Sequence, residues 1–138
     1  MIGQYFDIDV YNWKVYVYYE VNKNDIPFCI TRLKDLTIKK SVIDECKETI
    51  LSGKYNKAFI YSSYIKKESI IFITHPSSTG EFLNTITHEA NHLKSHIASY
   101  YNLDEKDEEV CYIIGDIVQQ MSETFMRFIY SKCLKIKN

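Results

Sequence analysis

Residues 84–117 read NTITHEANHLKSHIASYYNLDEKDEEVCYIIGDI, and how this stretch divides into helices decides the fold. Phe82, Ile86, Leu93 and Ile97 recur at helical spacing, with Leu83 and Ala90 beside them. At 100° per residue these six form one apolar stripe. Asn102-Leu103-Asp104 interrupts the pattern. It resumes with Val110, Ile113, Ile114, Ile117, Met121, Phe125 and Phe128 as the core face of a last helix. The spacing therefore predicts two long helices around a short break. Ser78 and Glu81 mark the start of the first, three apart as in a capping box, where each side chain satisfies an unpaired backbone N–H.

Upstream the period changes from helical to alternating. In WKVYVYYEV, Trp13, Val15, Val17, Tyr19 and Val21 share one face and Lys14, Tyr16, Tyr18 and Glu20 the other, as in a half-buried strand. YFDIDV pairs with it as a hairpin across Tyr11-Asn12. From Asp25 to about Ser52 the pattern is helical in two segments, one with Ile26, Ile30 and Leu33, the other with Val42, Ile43, Cys46 and Ile50. Ser52-Gly53 is the stop. KAFIYSS and SIIFITH then read as two more strands around Lys66-Lys67-Glu68. A small, mostly antiparallel N-terminal sheet packed with helices, followed by two long helices, is an α+β fold.

The 138 residues fit a single domain spanning 1–138, with no Pro/Gly-rich linker to divide it. A net charge of −1 gives no basic excess for nucleic acid. The first residues, MIGQYFDIDVYNWK, carry neither the basic nor the apolar region of a secretory signal. No apolar run is long enough to cross a bilayer. Cys29, Cys46, Cys111 and Cys133 form no CxxC pair and read mostly as buried thiols in a reducing cytoplasm.

HEANH, residues 88–92, carries the chemistry. With Phe82 as zero, His88 and His92 fall at about 240° and 280°, off the buried stripe and one turn apart. That separation suits two imidazoles on one zinc ion. Glu89, at about 340°, can take a proton from water activated by the metal without being a ligand itself. An HExxH arises in roughly one shuffled chain of this composition per hundred, so the bare match needs context. A capped amphipathic helix, its non-core face and a preceding apolar strand supply it.

Zinc needs a third protein ligand. The longer HExxHxxGxxH form is excluded, because Ser95 and Ala98 stand at the Gly and third His positions. His96 lies about 12 Å along the helix from His88, too far to share its ion, and reads as a surface or supporting residue. His75 reads as a strand-end histidine. In the acidic run LDEKDEEVCYIIG, Glu108, Tyr112 and Gly115 are spaced i, i+4, i+7 and share the face opposite the core. Glu108 is thus the expected third ligand and Glu109, rotated by about 100°, the fallback. Asp104, Asp107 and His75 follow. The geometry carries a condition: the HEANH helix should end near residues 97–100, so that YYNLDEKD folds back and brings Glu108 to His92.

HExxH followed by a glutamate on the next helix resembles the gluzincin class of zinc metallopeptidases. More closely, EFLNTITHEANHL followed by DEEVCYIIGDI is similar to small zincin-like proteins of gut bacteria and their phages, with Cys111 where a small residue is usual. The resemblance covers about residues 69–120. It implies zinc held by His88, His92 and Glu108, Glu89 as general base, and Tyr112 and Gly115 at the pattern's Tyr and Gly positions. By analogy with the fold, SIIFIT would be the sheet edge that pairs with an extended peptide or protein substrate. Tyr112 would donate to the oxyanion or serve only in packing. The expected activity is metal-assisted peptide hydrolysis in the cytoplasm. Its rival is a zincin-fold protein of a phage or mobile element that binds a partner without cleaving it.

Overall fold

This computed structural model describes the backbone of residues 1–137 and the side chains of residues 1–127. The elements are β1 (Ile2–Ile8), β2 (Trp13–Tyr19), α1 (Ile26–Asp35), α2 (Lys40–Leu51), β3 (Ala58–Ser63), β4 (Glu68–Ile73), α3 (Thr79–Tyr101) and α4 (Glu108–Lys137). The fold is α+β: one four-stranded sheet ordered β1-β2-β4-β3, with antiparallel outer pairs and a parallel β2–β4 pair. The hairpin between β1 and β2 turns through residues 9–12, with Asn12 in the left-handed region. Phe128 and Cys133 lie outside the residues whose side chains are described.

Helices cover both faces of the sheet. Trp13, Val15 and Val17 pack with Ile71 and Ile73 against α3 and α4. Ile70 and Phe72 pack on the other face against Leu33 of α1 and Ile43, Cys46 and Ile50 of α2. Tyr16 and Tyr18, expected on a solvated face, are half-buried against this second cluster. Val21 also belongs there rather than with Trp13. Glu20 adopts φ +59°, which breaks the strand's alternation and turns Val21 to the opposite face. Leu83, at the margin of the helical stripe, is exposed.

Two further expectations are corrected. SIIFIT is not an edge: β4 lies between β2 and β3 and is buried on both faces. An unbroken apolar run is the pattern of an interior strand. The edge on that side is β3. Nor does the HEANH helix stop by residue 100; α3 runs to Tyr101, with Asn102 as a left-handed C-cap. The last turn holds because its tyrosines pack. Tyr101 donates its hydroxyl hydrogen to the Tyr11 carbonyl, and Tyr100 meets the buried Trp13 edge to face. No helix among the described residues is long and apolar enough to cross a membrane.

Candidate metal centre and edge-strand groove

Ser78 accepts a hydrogen bond from the Glu81 N–H at 3.0 Å, which fixes the start of α3 and hence which residues face outward. Ile86, Ala90, Leu93 and Ile97 are buried against the sheet. His88 and His92 project from another face, with their Nε2 atoms 3.0 Å apart and the rings edge to face. At this distance the two rings share an N–H···N hydrogen bond, whose direction depends on the tautomer. It also matches half a chelate: two nitrogens at roughly 2.0–2.1 Å from one tetrahedral zinc stand about 3.3 Å apart. A few tenths of an ångström separate the two arrangements, so the spacing suits two of the three or four protein ligands that a zinc ion takes.

Glu89 is 5% exposed. Burial raises its carboxyl above the ordinary range, against the opposing pull of His92 and then His88. A carboxylate so placed is a stronger base than one in water.

The edge strand β3 forms the floor of a groove at this point. A cavity of about 340 Å³ is bounded by Val42 and Glu45 of α2, by β3 from Ala58 to Tyr61, and by His88, Glu89, His92 and His96. A second, of about 290 Å³, continues it past Ala58 and Glu89 towards Asn56, Asn84 and Thr85. Helix and strand keep step along it. Ala58 lies with His88 and Glu89, and Ser62 is bonded to His96 at 2.7 Å. Eight helical residues rise about 12 Å and four strand residues about 13 Å.

The structure brings Glu108 and Tyr112 to each other and not into this groove. The Tyr112 hydroxyl donates to Glu108 Oε1 at 3.1 Å. Tyr112 lines a separate cavity with Ile8, Val10 and Tyr11 of the first hairpin. A Cβ on Gly115 would meet nothing within 4 Å. Glu109 faces Tyr11, whose phenol is raised by burial and then by that charge. Asp104 caps the Lys106 N–H at 2.9 Å, the Asp107 carbonyl accepts from the Val110 N–H, and His75 pairs with Glu20 at 2.7 Å. Among the described residues, no group of three His, Cys, Asp or Glu side chains stands ready to hold an ion.

Three residues of this region escape a reading of the sequence. Glu105 accepts a hydrogen bond from Ser95, less than one turn beyond His92, and pairs with Lys94 at 3.8 Å. Glu45 faces the histidines from α2. Ser62 ties His96 to the sheet. Nothing local in DEK, DECK or YSS distinguishes them; each matters through a contact distant in sequence.

Compared with models of protein families, with curated proteins and with solved structures, the chain matches none.

Proposed function

We propose that the chain is a zinc-dependent peptidase acting on extended peptide segments, with His88 and His92 as metal ligands and Glu89 as general base. Glu108 is the third ligand that the resemblance implies, and α4 would have to bring it to the pair, since it lies outside the groove here. The observation that carries the reading is the pair of converging Nε2 atoms, 3.0 Å apart, beside a buried carboxylate at an open sheet edge. A zinc ion there supplies Lewis-acid activation of water and of a carbonyl group. Glu89 takes the proton of the attacking water as its oxygen bonds to the carbonyl carbon. It then delivers that proton to the amine nitrogen as the C–N bond breaks. The edge of β3 presents backbone N–H and C=O groups to which a substrate adds as a further strand. That role passes to β3 from the interior strand β4. Tyr112, directed at the first hairpin, contributes packing there.

Among the described residues the groove is walled by α2 and α3, and this openness favours a second reading, in which a peptide is bound without being cleaved. Glu89→Gln decides between them. It keeps the size of the side chain but cannot accept the proton, so zinc should stay bound while turnover of a quenched fluorogenic peptide library falls about 10²–10⁴-fold. A zinc-loaded wild-type protein that binds such peptides without cutting them establishes the second reading.

A further inference from the structure

His96, four residues beyond the second histidine of the motif, is held by a chain of hydrogen bonds that begins in the core. Trp13 Nε1 donates to Ser69 Oγ at 2.9 Å, Ser69 Oγ stands 2.6 Å from Ser62 Oγ, and Ser62 Oγ stands 2.7 Å from His96 Nδ1. Trp13 and Ser69 are both 0% exposed.

The direction of the chain follows from donor capacity. An indole N–H only donates, so Ser69 Oγ accepts from Trp13. The Ser69 hydroxyl hydrogen is buried and needs an acceptor, and Ser62 Oγ is in reach; left unpaired it would cost about 1–3 kcal/mol. Ser62 then has its own hydrogen for His96 Nδ1. The ring is thereby an acceptor at Nδ1, and in its neutral form it carries its proton on Nε2. His96 also lines the groove with His88, Glu89 and His92.

We propose that the Trp13–Ser69–Ser62 chain locks His96 as the Nε2–H tautomer, making it a fixed donor to a backbone carbonyl of the peptide lying along β3. This rests on the reading of the groove as a peptide site. The carbonyl concerned is set by register. His92 and His96 are separated by about 6 Å of helix rise, and alternate residues of an extended strand by about 6.6 Å. His96 therefore meets a carbonyl two residues along the substrate from the one at the histidine pair. It serves as a positioning residue that sets how far the peptide slides in the groove.

Two measurements test this. Long-range ¹H–¹⁵N correlation spectra of the zinc-free protein report each imidazole's tautomer without any ligand. His96 should show Nε2–H in the wild type and a tautomer mixture in Ser62→Ala; an Nδ1–H form in the wild type overturns the lock. The second is the affinity of zinc-loaded protein for an N-acetylated tripeptide hydroxamate, which anchors at the metal and extends along β3. His96→Phe should weaken it about tenfold, the loss of one hydrogen bond. His96→Gln, which places an N–H near the Nε2 position, should recover most of that. Equal affinity in wild type and His96→Phe overturns the donor role and leaves the metal groove standing. Failure of the wild type to bind the hydroxamate, with the tautomer as expected, overturns the groove reading and with it the ligand assigned to His96.

Discussion

His88 and His92 of α3 meet through their Nε2 atoms at 3.0 Å, while Glu108, the acid that the sequence pairs with them, is bonded to Tyr112 one turn along its own helix, α4. The proposed metal site thus has its two histidines together on α3, while among the described residues no third ligand stands with them. Glu45 faces the pair from α2, and two acids on or next to α4 are further candidates to complete it. Glu108 has the helix position implied by the resemblance, and Glu105 rests on Ser95 close to His92.

Zinc affinity separates these acids. Removing a true third ligand leaves two histidines, too few for a dedicated site. Glu108→Ala should weaken zinc binding at least about 100-fold, while Glu105→Ala leaves it nearly intact. Competition against a chromophoric chelator measures both. The opposite result assigns the site to Glu105 and the face of α3 that carries Ser95.

The buried hydrogen-bond chain makes a stability prediction. Ser69→Ala strands the indole N–H of Trp13 in a fully buried position, which should cost about 1–3 kcal/mol. Ser63→Ala, whose hydroxyl accepts from the exposed Lys66 N–H, should change stability by less than about 0.5 kcal/mol. Urea denaturation followed by Trp13 fluorescence gives both values. Equal effects would mean that the chain contributes nothing to the fold.

Much of this was legible in the sequence, and what was missed has physical causes. Helical periodicity identified α3, α4 and their buried faces because it depends only on residues three and four apart. The same local geometry placed His88 beside His92, and the wheel put Glu108, Tyr112 and Gly115 on the exposed side of α4. A wheel does not say how α4 is turned against α3, however, and Tyr112 faces the first hairpin. An apolar run such as SIIFIT fits an interior strand; the analogy with a peptide-binding edge overrode that pattern. Ser62 and His96 are 34 residues apart, and no spacing rule reports such a contact.

Acid should act on His96 with a defined sign. Burial first, and then the charge of His92, lower its imidazole below the ordinary 6.5. The unfolded chain therefore binds this proton more readily than the folded one. The stabilisation is complete above about pH 6.5 and is lost as pH falls through the folded-state value. His96→Gln lacks this titration, so the wild type's stability should fall more steeply below pH 6.5 than the variant's. Urea midpoints of the two proteins across that range check it; parallel profiles would show that His96 titrates alike in both states.

The most direct test of the metal centre is zinc content by mass spectrometry after dialysis against micromolar zinc, read beside the melting temperature. The wild type should retain one zinc per chain. At zinc a hundredfold above its Kd it should gain about 2.7 kcal/mol of stability, reversed by EDTA. His88→Ala and His92→Ala should each retain almost no zinc and show no such gain. A wild-type chain that emerges without zinc, or variants that keep the full complement, would contradict the assignment of the histidine pair as ligands.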